Sequence, residues 1–263
     1  MNTEWRVIGL EQHDAYMNMA LDEACCEAVA RHDVLPTIRF YRWLPSAVSI
    51  GYFQSMESEV NTGNCMEAGV DVIRRRTGGG AVYHDYEGEI TYSVIGALQF
   101  FPQGITESYH QICGWIIDGL NRLGIKAEFR PINDIILAPD ALGPKGERVG
   151  GKKISGNAQT RRNGILLQHG TILYDVDVKK MFSVLKVSAE KISDKMIAAA
   201  EDRVASIKKM RPEYGMMNLY EALLGGFTAG KSFRMGEWTL AELSRAHELA
   251  ETRYRKKEWN FSR

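Results

Sequence analysis

The stretch from Arg74 to Asp85 holds the residues of this chain best suited to binding an anion. Three arginines precede Thr77 and three consecutive glycines, Gly78 to Gly80. Glycine lets a ligand approach the main chain and leaves amide N–H groups open to an anion, while arginine supplies forked, permanently charged donors. The stretch therefore predicts a cradle for a polyphosphate or an adenylate. Taken alone, the glycines favour a simple hairpin with solvated arginines.

These glycines do not form either of the common nucleotide-binding motifs. The sequence contains no GxxxxGK[ST] run, and no helix-forming run follows the glycines as a dinucleotide fingerprint requires. Strand-like residues from Ala81 through Val82 and Tyr83 to His84 follow instead. A helix dipole is therefore not expected to anchor the anion.

A second basic, glycine-rich group extends from Gly150 to Gln159, with the sequence GGKKISGNAQ. A lysine in such a setting can bring its ammonium group to a substrate held against a flexible backbone. There it would stabilise negative charge that develops on a carbonyl or phosphoryl oxygen. A basic surface hairpin is an equal alternative, because lysine is usually solvated.

Two further candidates are single polar residues beside strands. His169 stands in the run Gln-His-Gly-Thr, and a lone histidine is more often structural than catalytic. Asp134 follows Pro131 and Asn133, where it could hold a metal ion or orient a lysine. A turn carboxylate that satisfies its own backbone is the alternative.

The elements that must position these residues are indicated by periodicity. Alternating or β-branched runs predict strands, and apolar residues recurring at three and four predict helices. The predicted strands are 37–43, 47–51, 70–75, 89–95, 127–130, 134–137 and 164–173, and the predicted helices are 15–31 after the N-cap Asp14, 106–123 and 240–257. From Asp177 onward the pattern is mostly helical. A sheet-rich first two thirds followed by helices predicts an α+β fold, with a mixed, largely antiparallel sheet packed against helices.

Composition excludes several functional classes. With 33 basic and 33 acidic residues the chain has no surplus of positive charge for nucleic acid. At 263 residues it is long enough for one large core. Its longest apolar stretch is broken by Gly96 and Gln99, so no membrane span or signal peptide is expected. The four cysteines, Cys25, Cys26, Cys65 and Cys113, follow no metal-binding spacing and predict a reducing cytoplasm.

Taken in order, the motifs RRxTGGGAVYHD, ITYSV, IND, GKKISGNAQ and QHGTIL resemble the lipoate-protein ligase family, within the wider group of biotin- and lipoate-protein ligases and octanoyltransferases. The resemblance covers most of residues 1 to about 205 and returns at Glu258-Trp259-Asn260. It implies a single catalytic domain over 1–263, with a helical portion from about 177 to 263. Many family members carry a further accessory domain, which we expect to be a separate protein here.

The resemblance also implies an activity. In that family ATP and lipoate form lipoyl-adenylate, with Mg²⁺ expected, and the acyl group then passes to a lysine. The acceptors are lipoyl domains of 2-oxoacid dehydrogenase E2 subunits or the glycine-cleavage H protein. By motif position Lys153 is the expected catalytic lysine, contacting both the acyl carbonyl and the phosphate. The expected adenylate-binding set is Arg75, Gly78, Gly79, Gly80, Ala81, Val82, Tyr83, His84, Asp134, Lys153, Ala158 and His169. Tyr92, Val94 and Ile165 are candidate linings for the apolar chain.

Two alternatives to this ATP-dependent ligase remain open. One is an octanoyltransferase, which moves an acyl chain from acyl carrier protein without ATP. Cysteine-dependent members place the nucleophile two residues before the aspartate of the IND motif, where this chain has Ile132. The other is a lipoyl-binding subunit without catalytic activity, which the intact Arg75, triple glycine and Lys153 argue against.

Overall fold

The computed structural model describes residues 3–186 and 194–263, and two sheets organise this part of the chain. The strands are β1 Glu4–His13, β2 Thr37–Trp43, β3 Ala47–Ile50, β4 Asp71–Arg74, β5 Val82–His84, β6 Glu89–Ala97, β7 Ala127–Arg130, β8 Asp134–Leu137, β9 Lys153–Arg162, β10 Ile165–Leu173 and β11 Ser232–Gly236. The helices are α1 Ala15–Ala30, α2 Met56–Glu59, α3 Thr62–Glu67, α4 Ile105–Arg122, α5 Val178–Val184, α6 Asp194–Arg203, α7 Ile207–Met210, α8 Met216–Thr228, α9 Leu240–Leu249 and α10 Lys257–Asn260.

The larger sheet has eight strands in the order β11-β1-β2-β6-β10-β9-β8-β7. β1 runs parallel to both β11 and β2, and every other pairing in this sheet is antiparallel. The smaller sheet has the order β4-β3-β5, with β4 parallel and β5 antiparallel to β3. The α+β fold with a mixed, largely antiparallel sheet is therefore confirmed.

Helices cover the larger sheet and build its core. α1 begins at Ala15 after the predicted N-cap Asp14, whose side chain accepts a hydrogen bond from the Met17 amide at 2.8 Å. α4 and α8 pack together closely enough that a Cβ on Gly119 would lie 3.0 Å from the α8 backbone. Apolar side chains from α4, α8 and the central strands form the largest buried cluster. The larger sheet is thereby held as a fixed wall on which polar residues can be placed.

The prediction missed three strands for recognisable reasons. In β1 the alternation is hidden because Arg6 is buried, where it forms an ion pair with Glu242 at 2.6 Å. β9 is largely polar, and it is held as a strand by pairing with β8 and β10 on its two sides. β11 is an edge strand with mostly exposed residues, inside a region predicted to be helical.

The predicted carboxyl-terminal helix is interrupted. α9 ends at Leu249, a π-helical turn spans Ala250–Tyr254, and α10 follows after a short break. Tyr254 is buried, and its hydroxyl donates a hydrogen bond to Glu23 of α1 at 2.7 Å, so the turn fastens this segment to the core. The part of the predicted helical region at 187–193 lies outside the described residues. No helix in the described ranges is long and apolar enough to cross a lipid bilayer.

Candidate active site

A cavity of about 360 Å³ lies where the two sheets meet, with walls from β2, β3, β5, β6, β9, β10 and α5. Most of the predicted site residues line it, namely Arg75, Gly79, Gly80, Ala81, Val82, Tyr83, His84, Lys153, Ala158 and His169. Gly78 and Asp134 do not line it, but each contacts a residue that does. The fold thus collects positions that are up to 94 residues apart in sequence, from Arg75 to His169, around one cavity.

The glycine loop depends on two close approaches. Gly79 adopts a φ of +96°, in the region that favours glycine. A Cβ on Gly51, which follows β3, would lie only 2.0 Å from the carbonyl oxygen of Gly79. The loop therefore packs directly on the backbone after β3, which explains the glycine at both positions.

Arg75 holds this loop in place. An arginine side chain has five N–H donors, and those of Arg75 are directed at five acceptors of the protein: Thr77 Oγ1 at 3.1 Å, Ser49 O at 3.2 Å, Ser49 Oγ at 3.1 Å, Gly78 O at 2.7 Å and Gly80 O at 2.8 Å. Burial lowers the pKa of Arg75 to about 10, so the side chain remains charged at neutral pH. A buried cation thus lies at the base of the cavity, and its acceptors are hydroxyl and carbonyl oxygens.

His84 forms the centre of a first hydrogen-bonded row, which we call the Ser49 relay and which consists of Ser49, His84 and Glu89. Ser49 Oγ lies 2.8 Å from His84 Nε2, and His84 Nδ1 lies 2.6 Å from Glu89 Oε1. The imidazole stacks on Trp43, with ring centroids 4.1 Å apart and planes 15° from parallel. All three members of the relay are buried and line the cavity.

His169 forms the centre of a second row, the Thr77 relay, which consists of Thr77, His169 and Asp22. Thr77 Oγ1 lies 2.7 Å from His169 Nε2, and His169 Nδ1 lies 3.5 Å from Asp22 Oδ2. Burial lowers the pKa of His169, so its imidazole is neutral at pH 7. Of the three residues only His169 lines the cavity. Arg75 donates to the hydroxyl of both relays and so joins them.

Lys153 lies on the cavity wall near solvent. Its Nζ forms an ion pair with Asp134 Oδ1 at 2.7 Å, and 42% of the Lys153 side chain remains exposed. A Cβ on Gly156 would lie 2.9 Å from Lys153 Nζ, so the lysine folds back across that glycine to reach Asp134 on the neighbouring strand. Lys152 is directed elsewhere and pairs with Asp202 at 2.9 Å.

The remaining wall is apolar, but it is not the predicted one. Tyr92, Val94 and Ile165 do not line the cavity, because their side chains are packed in the two buried clusters that flank β6 and β10. The apolar lining includes instead Trp43, Val82, Leu173, Met181, Leu185 and Val204. The cavity is therefore suited to an aliphatic chain, with polar groups of the two relays and Lys153 facing it.

The cysteines take no part in this cavity. Cys25, Cys65 and Cys113 are buried, and Cys26 is half-buried beside a second, smaller cavity. Burial raises the pKa of Cys25 and Cys113 to about 12 and that of Cys65 to about 11, so these groups are thiols at neutral pH. No cysteine in the part of the chain that the structure describes lines the cavity of about 360 Å³.

Sequence reasoning missed Ser49, Thr77, Glu89 and Asp22. Ser49 is the one hydroxyl residue of the otherwise apolar strand β3, and Glu89 is a carboxylate at the start of the buried strand β6. These are polar interruptions that point to a buried partner. Within 3–186 and 194–263 no three His, Cys, Asp or Glu side chains are grouped to hold a metal ion.

Comparison with known proteins identifies extensive similarity. Residues 14–228 match the model described as the lipoyl protein ligase A/B catalytic domain. The octanoyltransferase LipM of Brevibacillus brevis is 36% identical over 282 residues, covering 99% of this chain and 99% of that protein. The octanoyltransferase LipM of Staphylococcus aureus is 35% identical over 279 residues, again covering 99% of each.

Solved structures show the same fold. A chain from the structure of a bi-partite lipoate protein ligase and its E2 lipoyl domain from Thermoplasma acidophilum superposes with a TM-score of 0.83 and 33% identity, covering 98% of this chain and 96% of that one. Lipoate-protein ligase A bound with ATP superposes with a TM-score of 0.80 and 30% identity, covering 98% of each chain.

The expectation of an ATP-dependent lipoate ligase is contradicted and must be corrected. Eight curated relatives that match almost the full length at 33–36% identity are named octanoyltransferases. The geometry at Arg75 agrees with this correction, because all five of its N–H groups are directed at protein acceptors. A nucleotide phosphate could bind Arg75 only by displacing one of them.

Proposed function

Because the chain belongs to the lipoyl protein ligase A/B catalytic domain family, we propose that it transfers an octanoyl group from the thioester of an acyl carrier protein to a lysine of a lipoyl domain. The acceptor would be an E2 subunit of a 2-oxoacid dehydrogenase or a glycine-cleavage H protein. The similarity to octanoyltransferases over 99% of the chain carries this proposal.

The cavity supports an acyl substrate. Its volume of about 360 Å³ lies within the range of about 300–1,000 Å³ typical of small-molecule sites. Aromatic and aliphatic side chains such as Trp43, Val82 and Leu173 line it, and burying an eight-carbon chain against them would release water from that chain. The donor arrives already activated as a thioester, so no nucleotide is required for the chemistry.

Lys153 is the group that we assign to stabilising the transition state. When an amine or hydroxyl attacks the thioester carbonyl, negative charge develops on the carbonyl oxygen. An ammonium group held at a fixed position lowers the energy of that charge. The ion pair with Asp134 fixes the Lys153 side chain, and its exposed fraction leaves donors available to the substrate.

The proposal is tested with purified chain, octanoyl–acyl carrier protein and an apo lipoyl domain, without ATP. We expect one octanoyl group to be added to the acceptor lysine, measured by intact mass. A parallel reaction contains octanoate or lipoate with ATP and Mg²⁺ but no carrier protein. Modification only in that second reaction would overturn the proposal, and modification in neither would favour a binding subunit. That a separate accessory protein is needed stays a prediction. Repeating both reactions with added cell extract, which would supply such a protein, would test it.

Lys153→Ala should reduce the rate of octanoyl transfer by about 10²–10³-fold, as removal of one oxyanion donor does elsewhere. Lys152→Ala is the matched control, because the neighbouring lysine pairs with Asp202 and does not line the cavity. Circular dichroism and thermal melting establish that both variants fold. Transfer at the wild-type rate by Lys153→Ala would refute the role assigned to Lys153.

A further inference from the structure

We propose that Ser49 is the nucleophile of the reaction, and that it carries the octanoyl group as a serine ester between the donor thioester and the acceptor lysine. This inference rests on the proposed function and adds a covalent step to it. The relation of Ser49 to His84 and Glu89 is the observation from which it starts.

The Ser49 relay has the geometry of an activated nucleophile. A hydroxyl, an imidazole and a carboxylate in sequential hydrogen bonds form a recurring catalytic arrangement that is recognised by geometry rather than by sequence position. The two spacings here, 2.8 Å from Ser49 Oγ to His84 Nε2 and 2.6 Å from His84 Nδ1 to Glu89 Oε1, are both hydrogen-bonding distances.

The strands make this arrangement rigid. In the antiparallel pair of β3 and β5, Ser49 is opposite Val82 and Ala47 is opposite His84, so Ser49 and His84 are diagonal neighbours. Glu89 reaches the imidazole from the start of β6 in the other sheet. Trp43 stacks on the imidazole and fixes its plane.

Proton positions follow from the partners. An ionised carboxylate only accepts hydrogen bonds, so Nδ1 of His84 carries the proton that faces Glu89, and Nε2 is left as an acceptor. Arg75 Nη1 donates to Ser49 Oγ at 3.1 Å. The hydroxyl proton of Ser49 is therefore directed at His84 Nε2, which is the direction that proton abstraction requires.

Arg75 also favours the charge that attack creates. As the hydroxyl loses its proton, negative charge develops on Ser49 Oγ, beside a buried guanidinium. Placing a fixed cation against a developing alkoxide lowers the cost of its formation. Other candidate nucleophiles are less well placed, since Thr77 does not line the cavity and neither does any cysteine of the described chain.

The chemistry balances in two steps. First, Ser49 Oγ attacks the thioester carbonyl, its proton passes to His84 Nε2, and the C–S bond breaks as that proton is delivered to the departing thiol. Second, the neutral amine of the acceptor lysine attacks the serine ester. Its proton passes through His84 to Ser49 Oγ, an amide forms, and the hydroxyl is regenerated.

The test uses the full chain and octanoyl–acyl carrier protein with no acceptor. We expect intact mass spectrometry to show one octanoyl group on the wild-type chain and peptide mapping to place it on Ser49. Ser49→Ala should lose this adduct and reduce transfer by about 10³-fold or more. Ser206→Ala is the matched control, because it removes another fully buried serine hydroxyl that does not line the cavity.

A second variant distinguishes loss of the nucleophile from loss of the fold. Ser49→Cys should recover an adduct, now a thioester that neutral hydroxylamine cleaves much faster than the serine ester. Steady-state kinetics should be ping-pong for the wild type. Three results together would refute Ser49 as the nucleophile while leaving the proposed octanoyl transfer standing: sequential kinetics and no adduct in the wild type, and transfer at the wild-type rate by Ser49→Ala. Absence of transfer by the wild type would instead overturn the proposed function.

Discussion

The two relays that meet at Arg75 have the same chemical order, but their carboxylates are held differently. In the Ser49 relay, Glu89 Oε1 lies 2.6 Å from the imidazole and also accepts a hydrogen bond from Thr91 Oγ1 at 3.0 Å, whereas Oε2 is buried with no hydrogen-bond partner among the described residues. In the Thr77 relay, Asp22 lies 3.5 Å from the imidazole. Asp22 also accepts hydrogen bonds from Arg39 at 3.0 Å and from Ser93 at 2.8 Å.

This difference assigns distinct tasks to the two relays. Asp22 already balances the buried charge of Arg39, so its contact with His169 ties the imidazole to the core. Among residues 3–186 and 194–263, the cationic partner of Glu89 is a protonated His84, so the charge of Glu89 is available to stabilise the imidazolium that forms during catalysis. We therefore interpret the Ser49 relay as catalytic and the Thr77 relay as structural.

Removing the shared arginine should have the largest effect, because it breaks both relays. Arg75→Met leaves two hydroxyls and three carbonyl groups without their donor. We expect the free energy of unfolding to fall by about 3 kcal/mol or more and transfer to be lost, measured by urea denaturation and the carrier-protein assay. Arg76→Met is the control, since Arg76 pairs with Glu23 and does not line the cavity. If Arg75→Met transferred the octanoyl group at the wild-type rate, a role for Arg75 in either relay would be contradicted.

Neutralising each carboxylate should separate the relays. Glu89→Gln keeps the shape of the side chain but cannot stabilise an imidazolium, so kcat should fall by about 10²–10⁴-fold with little change in KM. The acidic limb of the pH–rate profile should shift in the same variant, which a purely structural role would not cause.

Asp22→Asn provides the contrasting variant. It should keep kcat close to the wild-type value but lower the free energy of unfolding by about 2–3 kcal/mol, because Arg39 loses a buried partner. If Asp22→Asn lowered kcat as much as Glu89→Gln does, the division between the relays would be wrong.

The sequence predicts the local parts of this arrangement and misses the long-range ones. Strands β2, β7 and β8 lie where alternation predicted them, and the glycine loop and Lys153 stand out by composition. Ser49 is 35 positions from His84, and Asp22 is on α1, far from His169 in sequence. Such partners are specified by the pairing of strands across two sheets, which a single sequence does not encode in any local pattern.

The same limit explains the interpretation of Arg75. Its position before the glycines predicted an anion-binding group, because unpaired arginines commonly bind phosphate. The folded chain surrounds its guanidinium with five protein acceptors, and this depends on the curvature of the glycine loop around the side chain. Residue type therefore identified the position, whereas the contacts of Arg75 with the protein depend on the tertiary structure.

The pH dependence of stability gives a smaller effect that reports on the Thr77 relay. Burial lowers the pKa of His169 in the folded chain, where the imidazole faces Asp22, Arg75 and His84. The unfolded state, with a histidine pKa of about 6.5, therefore binds this proton first as the pH falls. The contribution of neutral His169 to the free energy of unfolding is therefore fully present above about pH 6.5. It is lost as the pH falls below that value, by up to about 1.4 kcal/mol per pH unit.

Urea denaturation of the wild type and of His169→Gln between pH 5 and 8 measures this contribution. It is the difference between the two proteins in the slope of the free energy of unfolding against pH. Equal slopes in both proteins would contradict a depressed pKa.

Thr77→Val should produce the smallest effect on transfer. The substitution keeps a β-branched side chain of similar shape but removes the hydroxyl that accepts from Arg75 Nε and faces His169 Nε2. Because both groups are buried, the free energy of unfolding should fall by about 1–2 kcal/mol, whereas Thr77→Ser restores the hydroxyl and should recover most of the loss. The transfer rate should stay close to that of the wild type, since Thr77 does not line the cavity and Arg75 keeps its contacts with Ser49. A variant that remained stable but lost transfer would reverse the assignment, because the hydroxyl required for chemistry would then belong to the Thr77 relay.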